Sequence, residues 1–416
     1  MTLGRGREAR RDAAYAALTD GDVAVRLGAV YALVELADEW LGEVSLPVGV
    51  RRGHVQGVID RLCAYLRSPL STAATDNGAV GAGVEEQGRI QQAIVEEIHR
   101  RVQHPVASAE GASLAGTWSG FAFNFSGAVF VCTVNFTGSR WEHEVDFSDC
   151  IFMRDALFSC SVFTGTANFT HSTYRALADF SESLYQDAAY FGGCTWGGAA
   201  NFSGCTFRAG AYFLGCHYGA DTIFTGCSFA GTVVMMYSAY RGAFTATGCT
   251  VAGDADLSSS AYYGSASLRG CVFLADAWLG GGSWGGRTVF SGSVFEGAAD
   301  FSGAAYLADA IFTDAVFVNC APSLHGCIFS PHSVQEFTRT PEQGHPIVLE
   351  GGLPVGSHLL TPGQLTRLAK LQQKVTQRHE QLADKPAGSA AHRRAARQLE
   401  QAHEAFARWA HGLTAD

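Results

Sequence analysis

The sequence predicts a mainly β fold, a four-sided β-solenoid flanked by α-helical segments, and three periodic features support it. Between Phe125 and Phe317 a bulky apolar residue recurs at alternating steps of five and six, so that an eleven-residue period holds for eighteen repeats. A small residue usually precedes each bulky one by two positions, and glycine often follows the first of each pair by two. A short fixed period of this kind is typical of solenoids, in which each unit buries its apolar face only by stacking on its neighbours.

The bulky and small residues of the repeat are expected to point inward together. The first bulky series runs from Phe125 to Phe312 and the second from Phe130 to Phe317, and Ala246 is the one small residue among them. Residues two positions apart lie on the same side of an extended chain. Each short face therefore directs one large and one small side chain to the interior.

The size of one turn follows from the space that two aromatic rings need. Glycines such as Gly127 and Gly204 suit sharp corners because glycine accepts a positive φ. One eleven-residue loop is too narrow to enclose two rings, so we expect two repeats per turn and four faces of five, six, five and six residues. With strands about 4.8 Å apart, roughly nine such turns would form a rod on the order of 45 Å long.

The repeat resembles the pentapeptide-repeat family, whose unit is a small residue, Asp or Asn, Leu or Phe, and two variable residues. Stretches such as ANFSGCTF (200–207) and ADFSGAAY (299–306) carry the resemblance. Asp-Phe or Asn-Phe pairs stand at 124–125, 135–136, 146–147, 168–169, 179–180, 201–202 and 300–301. The family implies a right-handed, four-sided parallel β-solenoid. This chain departs from it by adding one residue to every second unit, and by replacing Phe in the middle turns.

Helical segments are predicted on both sides of the repeat. The predicted apolar helix positions are Leu27, Val30, Leu33, Val34, Ala37, then Ile59, Leu62, Cys63, Leu66, then Ile90, Ile94, Ile98 and Val102. Asp20 is the expected N-cap of the first of these helices. Residues 25–40 and 58–69 resemble the helical segment that precedes pentapeptide repeats in actinobacterial proteins, and also a HEAT-type helix pair.

Four regions are expected. Residues 1–115 form a helical, HEAT-like domain with a flexible Gly/Ala-rich connector at 70–84, and residues 116–330 form the solenoid. Residues 331–361 are expected as an irregular, proline-marked linker, and 362–416 as a helical hairpin. The residues predicted to cover the open end of the solenoid, or to pair with a second copy in a homodimer, are Leu399, Phe406, Trp409 and Leu413.

Composition limits the cellular compartment and the partners. No apolar run reaches the length of a membrane span and no signal pattern opens the chain, so a cytoplasmic location without a membrane-spanning segment is expected. Sixteen acidic and seven basic residues at 121–330 give the repeat a charge of −9, so we expect no direct binding of nucleic acid.

Cysteine usage favours buried, free thiols. Eight of the twelve cysteines are at the small inward positions: Cys150, Cys194, Cys205, Cys216, Cys227, Cys249, Cys271 and Cys327. Small apolar core residues are the simplest interpretation. No paired CxxC spacing exists, so no metal site is expected.

No catalytic or cofactor-binding residue is predicted, and the protein is not expected to be an enzyme. GGGSWGG at 280–286 matches the letters of a nucleophile elbow at Ser283, but that motif requires a strand before it and a helix after it. The β-helix enzymes need long loops to build a cleft, and the repeat has no insertion from 125 to 317.

Two functions remain open. The favoured one is a protein-interaction scaffold, a rigid repeat rod that binds a protein partner. The alternative follows from the resemblance to quinolone-resistance pentapeptide-repeat proteins: DNA mimicry towards a type II topoisomerase or another DNA-handling enzyme. The candidate partner-binding acidic residues are Asp146, Asp179, Asp254, Asp256, Asp276, Asp300, Asp309 and Asp314. A continuous stripe of these carboxylates would favour mimicry.

The middle turns are expected to be the least stable part of the repeat. Met235, Ala246, Val251 and Leu257 offer less apolar area than the phenylalanines on either side, and burial contributes about 25 cal/mol per Å².

Overall fold

The computed structural model describes residues 2–69, 82–103, 116–338, 342–383, 385 and 390–412. The chain divides into two compact units, Met1–Gly231 (unit 1) and Thr232–Asp416 (unit 2). The division falls at the end of a solenoid turn, where the first bulky series changes from Phe224 to Met235.

Unit 1 begins with four helices: α1 (Thr2–Ala17), α2 (Val23–Gly42), α3 (Val48–Leu66) and α4 (Ala82–Val102). The predicted apolar positions from Val30 onward are buried. The N-cap of α2 is Asp22 instead of Asp20: the Asp22 carboxylate accepts a hydrogen bond from the Ala24 N–H, while Asp20 accepts one from Asp22. Most of the expected connector, 70–81, lies outside the described residues, and 82–84 belong to α4.

The remainder of unit 1 consists of short strands. In chain order they are β1 (Phe123–Asn124), β2 (Val129–Phe130), β3 (Val134–Asn135), β4 (Arg140–Trp141), β5 (Val145–Asp146), β6 (Ile151–Phe152), β7 (Ala156–Leu157), β8 (Val162–Phe163), β9 (Ala167–Asn168), β10 (Thr173–Tyr174), β11 (Ala178–Asp179), β12 (Leu184–Tyr185), β13 (Ala189–Tyr190), β14 (Thr195–Trp196), β15 (Ala200–Asn201), β16 (Thr206–Phe207), β17 (Ala211–Tyr212), β18 (His217–Tyr218), β19 (Thr222–Ile223) and β20 (Ser228–Phe229).

Unit 2 continues the repeat and ends in two helices, α5 (Pro362–Ala383) and α6 (Ala390–Gly412). Its strands are β21 (Val233–Val234), β22 (Ala239–Tyr240), β23 (Phe244–Thr245), β24 (Thr250–Val251), β25 (Ala255–Asp256), β26 (Ala261–Tyr262), β27 (Ala266–Ser267), β28 (Val272–Phe273), β29 (Ala277–Trp278), β30 (Ser283–Trp284), β31 (Thr288–Val289), β32 (Val294–Phe295), β33 (Ala299–Asp300), β34 (Ala305–Tyr306), β35 (Ala310–Phe312), β36 (Val316–Phe317), β37 (Ile328–Phe329), β38 (Gln335–Phe337), β39 (Leu349–Glu350), β40 (Leu353–Pro354) and β41 (His358–Leu359).

Every fourth strand pairs in parallel within each unit, which confirms the four-sided parallel β-solenoid. We number the faces by their first strands: in unit 1, β1, β2, β3 and β4 open faces 1 to 4, and β21, β22, β23 and β24 do so in unit 2. The register advances by one turn of 22 residues, as in the pairing of Phe123 with Val145 or of Val233 with Ala255. Unit 1 contains five such turns; unit 2 contains four and an irregular last one.

Aromatic side chains stack in columns inside the solenoid. On face 1 of unit 1 neighbouring rings have centroids 4.6 to 5.1 Å apart, in the column Phe125, Phe147, Phe169, Phe191 and Phe213. Adjacent columns meet edge to face, as Phe169 and Phe180 do at 5.1 Å and 82°. Both geometries are favourable for aromatic quadrupoles. The predicted register of inward bulky residues is therefore confirmed.

At most of the small inward positions before the second bulky series, the residue is a hydrogen-bond donor as well as small. Cysteine or serine there donates to the carbonyl oxygen of a first-series residue one turn earlier, over 2.5 to 3.1 Å. Cys205 donates to Phe180, for example, and Ser183 to Phe158. This shared contact explains why Cys and Ser alternate at one position, which the interpretation as apolar filling had missed.

The corners two residues after the first bulky series adopt a positive φ, as expected, at both glycine and non-glycine residues. Gly127 and Gly138 have φ of 74° and 69°. Seven equivalent corners have φ of 54° to 59° without glycine: Asp149, Cys160, His171, Glu182, Tyr237, Ser259 and Asp314. The left-handed conformation costs such residues about 1–2 kcal/mol each. The repeat imposes this corner whatever residue occupies it.

The space expected to be poorly filled at Ala246 is occupied by a neighbour. Phe244 stands at the position that is usually small and is 1% exposed. Its ring centroid lies 4.8 Å from that of Tyr240 and 5.3 Å from that of Tyr262. Large and small residues have thus exchanged positions on this face, and the interior keeps its bulk.

Residues 331–361 contain more structure than the expected irregular linker. Phe337 pairs with Phe312 at a separation of 25 residues, and Leu359 pairs with Phe329 at a separation of 30. β39 and β40 pair antiparallel. Longer loops interrupt the 22-residue period in this segment. Strands β38 and β41 nevertheless pair in parallel with the edge strands β35 and β37.

The helices of unit 1 cover the first turn of the solenoid with glutamine side chains that take the place of a missing strand. Gln91 of α4 is fully buried; its amide donates to the Val129 carbonyl over 2.8 Å and accepts from the Val131 N–H over 2.9 Å. Gln56 of α3 makes the same pair of bonds to Ala122, at 2.8 and 3.2 Å. Unpaired edge groups would otherwise be costly or invite aggregation.

The C-terminal helices pack as a hairpin on the outward side of face 2 in unit 2. One apolar cluster joins Leu368, Leu371 and Phe406 to Ala305 and Ile328 of the sheet. A second cluster joins the two helices and consists of Val375, Leu399 and Ala402, with Leu382 packed against it. Tyr263 of the solenoid also packs against this cluster. Trp409 packs on the first cluster, and Leu413 lies outside the described residues. The hairpin therefore covers a sheet face in cis.

Replacing Phe244 with Ala should destabilise unit 2 by about 3–5 kcal/mol, because it leaves a cavity beside Tyr240 and Tyr262. Urea unfolding followed by tryptophan fluorescence would measure this. Thr245→Ala, on the outward side of the same strand, is the matched control. A loss no greater than that of the control would show that Phe244 does not fill the interior.

Replacing Gln91 with Leu should cost about 1–3 kcal/mol, since it leaves a part-buried carbonyl and a part-buried N–H of the first turn without their hydrogen-bond partner. Hydrogen exchange at 129–131 should accelerate. Gln92→Leu on the same helix is the control, because the Gln92 amide donates to the exposed Glu96 carboxylate of its own helix. Unchanged protection at 129–131 in Gln91→Leu would contradict the capping role.

Candidate functional site: the outward faces of the solenoid

The predicted acidic residues lie on two faces of the solenoid and in both units. On face 1, Asp146 belongs to unit 1, and unit 2 contributes Asp254, Asp256, Asp276 and Asp300. On face 3, Asp179 belongs to unit 1, and Asp309 and Asp314 to unit 2. Of the eight, Asp314 is exposed and the other seven are half-buried. No single stripe contains all eight.

Most of these carboxylates already bind backbone N–H groups. Asp146, Asp179 and Asp300 each accept from the N–H two residues later, at 2.9 to 3.1 Å. Asp276 and Asp309 accept from Ala298 and Val334 of the following turn, at 2.8 and 3.0 Å. An Asp side chain that closes a turn in this way is a recurrent structural device.

Asparagine does the same work at equivalent positions. Asn168 accepts from the Thr170 N–H and donates to the Asp146 carboxylate over 3.1 Å; Asn201 donates to Asp179 over 3.0 Å. In unit 1, neutral amides thus stand next to carboxylates on faces 1 and 3. Several of the acidic residues are placed by the needs of the turns, and in unit 1 their charge is diluted by these amides.

Two aromatic residues, one exposed and one half-buried, occupy the same outward position on face 1 of unit 1. Tyr190 and Tyr212 take the place of Asp or Asn before the inward Phe, and their rings stack with centroids 5.0 Å apart. Leu214 follows, 44% exposed. Tyr212 folds over Gly210, where an added Cβ would lie 2.5 Å from its hydroxyl. The face therefore changes from polar to apolar along its length.

Unit 2 presents a comparable aromatic residue. Trp278 is 39% exposed and pairs in the ladder with Asp256 on one side and Asp300 on the other. None of the three outward aromatics, Tyr190, Tyr212 and Trp278, was predicted from the sequence as a surface feature. Their signal was available: each is an aromatic immediately before a first-series residue, where Asp or Asn is usual.

The described residues hold no arrangement suited to catalysis at the places where sequence motifs suggested one. Ser283 lies in β30, buried between Ala261 and Ala305 of face 2, and no helix follows it. No group of three His, Cys, Asp or Glu side chains within the described ranges could hold a metal ion.

The thiols are free and most are buried. Burial raises the pKa of Cys205 to about 12, and it raises the pKa of Cys327 to about 12 as well. The thiolate, the reactive form, is thus disfavoured at neutral pH. Cys160 differs, since it is exposed at one of the positive-φ corners.

Fold and repeat chemistry together define a parallel β-solenoid repeat protein. A pentapeptide-repeat family profile, "Pentapeptide repeats (9 copies)", matches residues 186–235. Comparison with curated proteins and with solved structures found no match. With the four-sided solenoid around the matched stretch, the chain is a pentapeptide-repeat protein.

Among the helices that the structure describes, none combines the length and apolar character that crossing a bilayer requires.

Alkylation should distinguish the corner thiol from the inward ones. With iodoacetamide at mildly alkaline pH, Cys160 should react first, while Cys205 and Cys327 stay protected because their raised pKa values keep them protonated. Peptide mapping by mass spectrometry follows each site. Cys160→Ser should remove the fast phase, and reductant should leave the melting temperature unchanged. Rapid labelling of Cys205, or a Cys205–Cys227 disulfide, would contradict this prediction.

Proposed function

We propose that this protein is a non-catalytic protein-interaction scaffold, in which the solenoid supplies a rigid outward face for a protein partner. The observation that carries the proposal is the apolar group on face 1 of unit 1, formed by the exposed Tyr190 and Leu214 and the half-buried Tyr212. Tyrosine is enriched at protein interfaces because it adds a large apolar area and a polar tip at low entropic cost.

Rigidity supports the same function. The backbone groups of each turn are paired with those of the next, and the interior columns are packed ring on ring. An outward side chain on such a lattice loses little further freedom when a partner binds. A pre-organised surface of this kind gains affinity by reducing that cost.

DNA mimicry towards a type II topoisomerase is the weaker proposal. The candidate carboxylates are divided between faces 1 and 3, and several close turns. Duplex DNA carries one negative charge per ~1.7 Å of axis, a density that amide-diluted ladders approach poorly. We also propose a cytoplasmic location and a homodimer formed through the C-terminal helices.

Binding measurements with matched variants would test the scaffold proposal. Proteins captured from source cells on the wild type would be purified and retitrated individually. Tyr190→Ala/Leu214→Ala should weaken at least one of them about tenfold, equivalent to 1.4 kcal/mol. The control is Thr195→Ala/His217→Ala, at exposed positions of face 2. If both double variants behave alike for every captured protein, face 1 is not the interaction surface.

A supercoiling assay with a type II topoisomerase distinguishes DNA mimicry from the scaffold function. On the scaffold proposal, the purified protein should leave a type II topoisomerase uninhibited. Inhibition that is relieved by Asp256→Asn/Asp300→Asn would support mimicry and overturn the scaffold proposal.

A further inference from the structure

A row of basic side chains follows α5 beside its buried apolar side. We define the basic stripe as Arg367, Lys370, Lys374 and Arg378, at helical spacings of three, four and four. Such residues lie on one side of a helix. At 1.5 Å per residue the stripe is about 16 Å long. The apolar side of the same helix is the one buried in the two clusters of the hairpin.

The stripe carries charge that is not neutralised by the described carboxylates. Arg367, Lys370 and Lys374 are exposed, and no ion pair joins the stripe to a carboxylate in the described part of the chain. Arg378 donates to the side-chain oxygens of Gln381 and of Gln398 on α6. These bonds to neutral acceptors orient the guanidinium, and no carboxylate whose side chain the structure describes pairs with it.

The charge of the hairpin is opposite to that of the repeat. Residues 362–416 contain nine basic and five acidic side chains, and all three lysines of the chain stand at 370, 374 and 385. The face beneath the hairpin is neutral at its outward strand positions: Ala239, Ala261, Ser283, Ala305 and Ile328. The candidate carboxylates of the same unit stand on faces 1 and 3 instead. Residues 232–330 contain seven acidic and three basic side chains, so net positive charge is segregated on the hairpin and net negative charge on the repeat of unit 2.

From this segregation we propose that the basic stripe is a docking surface for an acidic segment of a partner protein. Carboxylates three or four residues apart on a partner helix would repeat at the same spacing as the stripe, so several charge-assisted contacts can form at once. Arg394, four residues before Gln398 on α6 and exposed, extends the surface towards the second helix.

The chain's own charge favours a short acidic segment over nucleic acid. The repeat carries −9, and a duplex is a long polyanion that would extend past the hairpin and meet that repulsion. Charges further apart than roughly 8–10 Å are screened by salt. A short partner segment that stays over the stripe therefore avoids most of the repulsion from the acidic repeat. The proposal goes beyond the scaffold function, since it uses a different surface in the other unit.

Fluorescence anisotropy with the full chain would test the stripe. The probe is a labelled helical Glu/Ala peptide with carboxylates at i, i+3 and i+4 spacing; its Gln/Ala counterpart is the neutral control. Lys370→Glu/Lys374→Glu should weaken binding of the Glu peptide at least about tenfold, and added salt should weaken binding by the wild type.

The matched control is Arg269→Glu/Arg287→Glu, which changes the net charge equally at exposed solenoid positions of the same unit. It should bind the Glu peptide within about twofold of the wild type, and circular dichroism should show both variants folded. If both double variants lost the same affinity for the Glu peptide, net charge alone would explain the loss, and the proposal would be overturned. No preference for the Glu over the Gln peptide would overturn it too.

Binding of a labelled DNA duplex tests whether the stripe prefers nucleic acid to an acidic protein segment. If the duplex binds more tightly than the Glu peptide and Lys370→Glu/Lys374→Glu abolishes that binding, the stripe is a nucleic-acid surface and the acidic-segment proposal fails. The face 1 partner of the scaffold proposal should still bind Lys370→Glu/Lys374→Glu normally, so the two proposals can fail independently.

Discussion

The repetition of one inward arrangement at every turn is the constraint on which the structure depends. A residue 22 positions further along occupies the same place, so each inward ring stacks on its own kind, as Phe169 does on Phe147. Backbone pairing and side-chain stacking have the same period, and neither can slip without the other. Because stability is the sum of such neighbour contacts, a local exchange such as that of Ala246 with Phe244 is tolerated if total bulk is kept.

The same repetition leaves unpaired backbone groups at the first turn and an uncovered apolar stretch on face 2 of unit 2. A first turn has no earlier turn to pair with, and Gln91 and Gln56 supply donor and acceptor in place of a strand. At the other end of the chain, the strands of 331–361 add an irregular turn, and the hairpin covers an apolar stretch around Ala305 and Ile328. The flanking helices thus complete the repeat, and the outer side of α5 is left for other contacts.

Residue types vary more at outward positions than at inward ones, because outward side chains need not fill the interior. A binding surface is therefore expected among them. The residue before an inward Phe must suit a turn, which Asp146 and Asn168 do by accepting a backbone N–H. Where Tyr190, Tyr212 or Trp278 replaces them, the turn loses such an acceptor and the surface gains an exposed aromatic. Substitutions that give up a local structural bond without internal compensation are the ones that best indicate a binding surface.

The sequence by itself determined the solenoid, its four faces, the inward register and the corner positions, because a period that repeats eighteen times averages out local ambiguity. It also located the helices, although Asp22 and not Asp20 caps α2, since both candidate carboxylates lie within one turn. Only the tertiary structure decided that the hairpin covers face 2, that cysteines donate to an earlier turn, and that the acidic residues divide between two faces. These contacts join residues that no local spacing relates, and their partners are set by how turns and helices pack.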